Sequence, residues 1–254
     1  MGACIFLYMG FVVSALAESQ KIKLATGTDY APYTDPDLPG GGVVSQIVRR
    51  VFEEMDYEVE IGFYPWKRTY QRTLELQNDA TFPFAKNAER EADFLFSRPI
   101  NQINVRFYEY RETAKNIQTV EDIIGMTYCQ PLGYLTEPEL TDLIAAGQLS
   151  RFEATDMPAC FKVLGLGRVN FVLANDFVAW ESAQAAFGMD GFDRIKPAEE
   201  PIRRAYEYLM ISRQHPKGRM LIDQFNNAYG SLLDNGTLQQ IWTDAIGKNA
   251  KPAS

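Results

Sequence analysis

The sequence contains a single histidine, His215, which stands directly before Pro216. Ser-His-Asp and Cys-His catalysis need an imidazole base beside the nucleophile, and many zinc sites use several histidines. A single histidine therefore leaves little basis for either kind of chemistry. We predict no catalytic residue, no metal site and no cofactor.

The charge of the chain argues against two classes of partner. The 254 residues include 25 Lys and Arg against 33 Asp and Glu, a net charge of −8, and no block of basic residues occurs. Nucleic acids and anionic membrane surfaces bind clustered positive charge. We therefore expect no nucleic-acid partner. The composition, 46% hydrophobic and 23% charged, is typical of a folded globular chain with one large or two small domains.

Residues 1–17 have the pattern of a secretory signal peptide. The uncharged apolar run CIFLYMGFVVS spans residues 4–14, and the small-x-small triplet Ala15, Leu16, Ala17 precedes the polar residue Glu18. The run is shorter than the about 20 apolar residues that a membrane span needs. No Lys or Arg precedes it, which is atypical of a leader, and an apolar first element of the core is the alternative. We expect export and removal of residues 1–17.

The predicted export affects whether the cysteines can form a disulfide. Cys4 lies within the predicted leader, which leaves Cys129 and Cys160 as an even pair in an oxidising compartment. A disulfide between them and two separate buried thiols are both compatible with the sequence.

Strand-like and helix-like segments alternate along the rest of the chain. Between Val44 and Met55, for example, apolar residues recur at the spacing of an amphipathic helix that covers a sheet. Strands are predicted at 22–27, 58–63, 80–84, 125–129, 149–154, 171–174 and 206–212, and further helices at 66–77, 138–146, 158–166, 176–187 and 217–233. This alternation indicates an α/β fold with largely parallel strands. Two α/β lobes connected by extended strands fit it better than one large sheet.

Two segments carry the most specific motifs. The stretch LATGTDYAPY at residues 24–33 leads from a strand into a D-Y-x-P-aromatic loop, with Gly42 following. Arg90 precedes Phe96, Ser97 and Pro99 in the pattern R-x5-F-S-x-P. The ordered set resembles the type II periplasmic solute-binding proteins of the polar amino-acid family, family 3, which serve ABC transporters. Weaker matches are Trp66 in YPWKR, EDIIG at 121–125, GRVNFVLAND at 167–176 and NGTLQQIW at 235–242.

The resemblance covers nearly all of residues 21–246 and implies a two-lobed clamp. Lobe 1 would consist of residues 18–107 plus 208–254 and lobe 2 of residues 108–207, with crossing segments near 105–111 and 202–208. A ligand would lie in the cleft, and hinge motion would close the lobes around it. The resemblance further implies a periplasmic location, a monomer, and an ABC transporter permease at the membrane as partner.

Two arginines are candidate ligand contacts. Arg90 stands where the family places the arginine that binds the ligand's α-carboxylate, and a guanidinium matches a carboxylate with two parallel hydrogen bonds. Because Glu89, Glu91 and Asp93 are close in sequence, a surface salt-bridged arginine is the alternative. Arg68 is a second possible anion contact, or one residue of a solvated helix face.

The aromatic candidates are Tyr30, Tyr33 and Trp66, which could cover the aliphatic part of an amino acid or face a cation. Core packing is the alternative for each. Phe82, Pro83 and Phe84 occupy a family stretch that is usually rich in serine or threonine. This departure favours an apolar or aromatic ligand side chain, or a ligand unlike an ordinary polar amino acid.

The match in lobe 2 is poorer. The loop that supplies backbone N–H groups to the ligand in the family contains Pro131, Gly133 and Tyr134 here, and no Ser or Thr. The family acid that binds the ligand's ammonium group falls at Asn175, with Asp176 next to it. Asp176 could contact the ligand after a one-residue shift or act as the N-cap of the following helix.

The leading hypothesis is a secreted, non-catalytic solute-binding protein that captures an amino acid or a related small carboxylate for an ABC importer. An enzyme on the same scaffold, such as a cyclohexadienyl dehydratase, is the alternative. It would need a carboxyl general acid in the cleft, and besides Asp29 and Asp176 we identify no acid at an obvious cleft position. A sensory lobe of a receptor or part of a wall-lytic enzyme is a third, less favoured possibility.

Overall fold

A computed structural model of the chain describes residues 20–247. The predicted signal peptide, with Cys4, lies outside the described residues. The strands are β1 (Gln20–Gly27), β2 (Tyr57–Tyr64), β3 (Ala80–Ala85), β4 (Phe94–Tyr110), β5 (Thr127–Pro131), β6 (Ser150–Ala154), β7 (Phe171–Asn175), β8 (Ile195–Pro197) and β9 (Arg203–Ser212). The helices are α1 (Val43–Glu54), α2 (Trp66–Leu74), α3 (Ala88–Asp93), α4 (Pro138–Ala145), α5 (Met157–Gly165), α6 (Asp176–Phe187), α7 (Gly218–Asp234) and α8 (Thr237–Ile246).

The predicted α/β architecture is correct, and each predicted helix and strand begins and ends within three residues of the observed one. The expectation of largely parallel strands is wrong, because β4 and β9 pair antiparallel with each other, β4 also with β7 and β8, and β9 with β3. Two of these boundary deviations have local causes. Helix α2 ends at Leu74 because the following turn contains Leu76 in a left-handed conformation, with φ of 60°. Strand β5 begins two residues late because Gly125, with φ of 77°, turns the chain after a short 3-10 helix at Val120–Ile123. Thr119 and Asp122 form the N-terminal capping box of that short helix.

The strands form a continuous ladder in the order β2-β1-β3-β9-β4-β7-β5-β6, with β8 paired to β4. Parallel pairing joins β1 to β2 and β3 in what we call the first half, and β5 to β6 and β7 in the second half. The long antiparallel strands β4 and β9 connect the halves. Over residues 102–104 and 204–206 these two strands bond only to each other. The molecule therefore narrows at this point to a two-stranded connection.

Apolar helix faces cover both halves of the sheet. In the first half, α1 packs against β2, α7 and α8 through a stripe that includes Val44, Ile47, Val51 and Phe52, all fully buried. In the second half, α5 and α6 pack against each other. A separate small core around Phe107, Tyr128 and Phe171 lies beneath β5 and β7. Each half thus buries apolar surface of its own.

No helix within residues 20–247 is long and apolar enough to cross a membrane.

Cys129 on β5 and Cys160 on α5 are joined by a disulfide, with their Cα atoms 5.3 Å apart. Both residues are buried. The bridge ties helix α5 to the central strand of the second half, and it closes a loop between residues that are 31 positions apart.

We predict that removing this bridge lowers the stability of the protein. Closing a loop of this length restricts the unfolded chain and is worth about 3–4 kcal/mol in the chain-entropy model. The double variant Cys129→Ser, Cys160→Ser should melt several degrees lower than the wild type in calorimetry. Reductant should lower the melting temperature of the wild type and leave that of the double variant unchanged; an equal response of both proteins to reductant would contradict the prediction.

Candidate functional site

A cavity of about 100 Å³ lies where the two halves meet. This is several times the space that one water molecule needs. Residues of the first half, of the second half and of both connecting strands line it. Its apolar wall includes Tyr30, Trp66, Pro83, Phe84, Ile103, Val105, Tyr134, Leu135, Met157 and Leu173. The charged residues of the wall are Arg90, Glu137, Arg203 and Glu207.

The position of Trp66 depends on a glycine. Trp66 is the first residue of α2, and its indole ring covers the end of β1, where a Cβ on Gly27 would lie 2.2 Å from the ring. Only glycine therefore allows this approach. The ring stands edge-on to Tyr30 and to Phe84, with centroid distances of 5.4 and 5.3 Å. The three rings form one aromatic wall of the cavity.

Glu207 is the acidic group at the centre of the site. It lies on β9, is only 6% exposed and accepts hydrogen bonds from both connecting and first-half residues. The Tyr30 hydroxyl donates to its Oε1 and Asn101 Nδ2 donates to its Oε2, each at 2.6 Å. Burial raises the pKa of Glu207 to about 7, although both hydrogen bonds and the nearby Arg90 oppose that rise. Near neutral pH this carboxyl exists in both protonation states.

Asn175 connects the halves through the same hydroxyl group. Its Nδ2 donates to the Tyr30 hydroxyl at 3.1 Å, while its Oδ1 accepts the backbone N–H of Val178 at 3.0 Å and so caps helix α6. Asn101, Glu207, Tyr30 and Asn175 therefore form one chain of hydrogen bonds. The chain runs from the connecting strands through the first half into the second.

Arg90 lies on α3, whose N-cap Asn87 accepts the Arg90 backbone N–H at 2.8 Å. The side chain lines the cavity, with its guanidinium carbon 4.9 Å from the centre of the Phe84 ring. Nη1 donates to the Ala85 carbonyl at 2.8 Å. Nε and Nη2 donate to no atom of residues 20–247, so the guanidinium retains donors for a further partner.

A second pair of charges lies at the cavity wall. Arg203 Nη2 contacts Glu137 Oε2, and Arg203 Nε lies 3.8 Å from Glu139 Oε1. Burial raises the pKa of Glu137, against the opposing charge of Arg203. Since Glu137 precedes α4 and Arg203 begins β9, this ion pair fastens the second half to a connecting strand.

Asp29 lies beside the cavity at another contact between the halves. It has a left-handed backbone, with φ of 60°. Burial and the Asp156 carboxylate raise the pKa of Asp29 to about 7, while the backbone N–H of Met157 acts in the opposite direction. Both Asp156 and Met157 stand at the start of α5, so protonation of Asp29 relieves repulsion across the contact.

Of the predicted site residues, the structure brings Tyr30, Trp66, Pro83, Phe84, Arg90, Gly133, Tyr134 and Asn175 together around the cavity. Gly133 has a φ of 87°, and a Cβ there would lie 3.0 Å from the Lys67 backbone nitrogen. The loop of the second half thus contacts the start of α2 directly. That these eight residues bind a ligand stays a prediction.

Four other predicted residues lie outside the cavity wall. Tyr33 is buried behind Tyr30, 5.1 Å between ring centres, and Phe82 is fully buried within β3. Arg68 is exposed and lies over the Tyr64 ring at 5.5 Å. Asp176 accepts from Arg106 Nε at 2.8 Å and from the Tyr108 hydroxyl at 2.9 Å. The N-cap role predicted for Asp176 is wrong, because Asn175 caps α6.

Glu137, Arg203 and Glu207 were not among the predicted site residues. A signal for Glu207 exists in the sequence. Along RRAYEYLMIS the alternate residues Ala205, Glu207 and Leu209 are buried, so a carboxylate occupies an inward position of a strand. A buried carboxylate in such a pattern needs a specific partner. For Glu137 the local sequence offers no comparable pattern.

Comparison with known protein families shows to which family the chain belongs. The sequence pattern of the family described as "Bacterial extracellular solute-binding proteins, family 3" matches residues 22–248. The chain belongs to this family. No curated protein sequence matches it. Among described residues of this solute-binding-family member, no group of three or more His, Cys, Asp or Glu side chains is placed to hold a metal ion.

Solved structures share the two-lobed fold at low sequence identity. A histidine kinase sensor domain similar to periplasmic binding proteins has a TM-score of 0.78 and 15% identity, covering 89% of this chain and 96% of its own. An amino acid ABC transporter substrate-binding protein from Streptococcus pneumoniae, bound to L-arginine, has a TM-score of 0.73 and 16% identity, covering 89% and 94%. An ancestral amino acid-binding protein, a precursor of cyclohexadienyl dehydratase, has a TM-score of 0.72 and 16% identity, covering 89% and 95%. At these identities the likeness shows the fold alone.

The raised pKa values of Glu207 and Asp29 predict how stability varies with pH. A carboxyl whose pKa is higher in the folded than in the unfolded state stabilises the fold below its unfolded pKa, and this stability is lost as the pH rises through about 7. The melting temperature should therefore fall between pH 5 and pH 8. In Glu207→Gln the fall should be smaller, by roughly 5 °C.

Melting curves measured by circular dichroism at several pH values test this expectation. Glu60→Gln is the matched control, because Glu60 is an exposed residue of β2 and its loss should leave the slope unchanged. Parallel pH profiles for the wild type and Glu207→Gln would show that Glu207 does not titrate in this range.

Proposed function

We propose that this protein captures an amino acid or a related small carboxylate in the cavity between its lobes and delivers it to an ABC importer. The observation that carries the proposal is the Arg90 guanidinium, which lines the cavity with Nε and Nη2 unused by the described residues. A planar fork of this kind matches a carboxylate, and partial enclosure strengthens the interaction. Burial lowers the pKa of Arg90. The pKa of an arginine starts so far above neutral, however, that the guanidinium remains charged at any physiological pH.

Hinge motion of two lobes, residues 18–107 plus 208–254 and residues 108–207, forms part of the proposal. The connection at residues 102–104 and 204–206, where β4 and β9 bond only to each other, is the natural place for bending. This point on β4 precedes the crossing segment expected near 105–111. The Tyr30–Asn175 hydrogen bond spans the lobes, so we expect opening to break it.

The importer partnership and the periplasmic location rest on the family and on its structural neighbours. The Streptococcus pneumoniae neighbour is described as an ABC transporter substrate-binding protein. The description of another neighbour names glutathione import and an ABC importer of Streptococcus mutans. A permease at the membrane that recognises the closed, monomeric form is the corresponding partner here.

We predict that Arg90→Ala abolishes binding of carboxylate ligands. A ligand that binds only the folded protein raises its melting temperature, so a thermal-shift screen of amino acids and small organic acids should reveal selective compounds. In Arg90→Ala the shift should disappear, since loss of a charge-assisted bidentate contact costs about 3 kcal/mol or more, roughly 100-fold in affinity.

Arg68→Ala is the control for this screen. It also removes one arginine, but from an exposed position outside the cavity, and its ligand response should equal that of the wild type. A normal response in Arg90→Ala would rule out the carboxylate role of Arg90.

Export gives a further prediction. Expressed with its leader in a Gram-negative host, the protein should be recovered from the periplasm with Glu18 as its first residue, because cleavage follows the Ala15–Ala17 triplet. Fractionation and intact-mass measurement test both points, with a version lacking residues 2–17 as the cytoplasmic control. Recovery of an uncleaved chain would contradict the assignment.

A dehydratase is the second candidate function, and Glu207 is the observation that favours it. The cleft does contain a buried carboxyl with a pKa of about 7, the type of group that acts as a general acid near neutral pH. Incubation with prephenate, followed by absorbance of the product, distinguishes the candidates. Turnover that is lost in Glu207→Gln would establish the enzyme, and absence of turnover with retained ligand binding would support the binding protein.

A further inference from the structure

An ammonium group of a bound amino acid would need hydrogen-bond acceptors in the cavity, and the acceptor side chains there already have partners within the protein. Glu207 accepts one hydrogen bond on each carboxylate oxygen. Glu137 pairs with Arg203, and Asn175 Oδ1 caps helix α6. The carbonyl of Ala85 accepts from Arg90. An ammonium would therefore have to use acceptors that internal donors already engage.

The side-chain groups of the cavity wall that lack a partner within the described part of the chain are mostly donors, although the unpartnered Tyr134 hydroxyl can donate or accept. Arg90 Nε and Nη2 have no acceptor among residues 20–247. Arg203 Nε is buried and makes no hydrogen bond, its nearest carboxylate oxygen being 3.8 Å away. A group that supplies acceptors alone, such as a carboxylate, complements this surface better than a group that supplies three N–H donors.

The charges of the cavity wall also favour an anion. Arg203 and Glu137 neutralise each other, which leaves Arg90 and Glu207 as the remaining pair. Whenever Glu207 holds a proton, the four charged side chains of the cavity wall together carry one positive charge. A monoanion neutralises that charge, whereas a zwitterion brings a second positive charge into a largely apolar cavity.

We propose that the cavity selects a small, largely apolar carboxylate without an ammonium group over the amino acid of the same skeleton, and that Glu207 takes up a proton when this anion binds beside Arg90. This inference rests on the proposed function and specifies its ligand class. The proton step balances simply, because solvent supplies one proton and the Glu207 carboxylate becomes a carboxylic acid. The ligand reaches the site as the anion and remains the anion.

Several titratable or charged groups face Glu207 and belong to this balance. Tyr30 and Tyr33 approach from the loop after β1, Arg90 from α3, and Tyr134 and Glu137 from the second half. The three tyrosines have pKa values raised well above 10, so they stay neutral near pH 7. An anion that engages Arg90 weakens the attraction between Arg90 and Glu207, which is the opposing influence that holds the Glu207 carboxylate ionised.

Matched ligand pairs test the class. The probes are L-leucine with 4-methylpentanoate and L-phenylalanine with 3-phenylpropanoate, because the members of each pair differ only in the ammonium group. Calorimetric titration at pH 6, 7 and 8 measures affinity, and buffers of different ionisation heat measure proton exchange. We expect the deaminated member of at least one pair to bind ten-fold or more tightly than its amino acid. Its binding should take up protons and weaken as the pH rises through 7.

Two variants separate this inference from an ammonium-binding role of Glu207. In Glu207→Gln, binding of the deaminated acid should lose its pH dependence and its proton uptake, because the amide stays neutral; Glu60→Gln should behave as the wild type. Asn175→Asp should shift preference toward the amino acid, because it adds an acceptor and a negative charge while keeping a good helix cap. Circular dichroism confirms that each variant is folded before titration.

The outcomes are distinguishable. Tighter binding of the amino acids, with loss of binding in Glu207→Gln, would overturn the ligand class and leave the proposed function intact. Anion binding without proton uptake would overturn the role of Glu207. Failure of every probe to bind, with a selective ligand found in the thermal-shift screen, would overturn the ligand class alone; failure of the screen as well would overturn the proposed function.

Discussion

The arrangement of the site depends on the burial of one carboxyl group, that of Glu207. A carboxylate in such a position is costly unless neighbouring donors and a positive charge compensate it. Tyr30 and Asn101 supply the donors and Arg90 the charge, and these residues belong to three separate elements. The requirement to satisfy Glu207 therefore restricts where the loop after β1, helix α3 and strand β4 are placed.

The same carboxyl lies on a strand that connects the two halves. Strand β9 carries Arg203 at its start and Glu207 four residues later. Arg203 contacts Glu137 of the second half, and Glu207 contacts Tyr30 of the first half. Any bending of the connection changes the surroundings of both residues. In the proposed function, ligand contact, protonation and hinge motion would therefore all act on a single short segment of the chain.

Much of the architecture was predictable from local pattern, whereas the connection was not. Helix α6 begins and ends where its sequence indicates, because polar residues precede its start and Gly188 follows its last turn. Strand β4 extends over 17 residues although Pro99 and the polar Asn101 and Asn104 interrupt its apolar pattern. Its extended conformation is maintained by hydrogen bonds to β9, a long-range contact that no local window contains.

Some features of the site could likewise be predicted from the sequence, and others could not. The position of Arg90 at the cavity followed from a motif, and Trp66 and Tyr30 from their places in the same resemblance. The roles of Asn175 and Asp176 depended on one residue of register, which side-chain partners decide: Arg106 and Tyr108 bind Asp176, and that leaves Asn175 toward the cavity. The pairing of Arg203 with Glu137 joins residues 66 positions apart, beyond the reach of spacing arguments.

The side chain of Asn175 makes two hydrogen bonds, and this has a consequence for the energetics of the proposed domain movement. Because the helix cap fixes the orientation of this amide, its Nδ2 is held toward Tyr30 independently of the hydrogen bond between them. In the proposed hinge motion, docking the lobes would immobilise no additional rotamer at this contact, because the side-chain entropy was already lost when helix α6 folded.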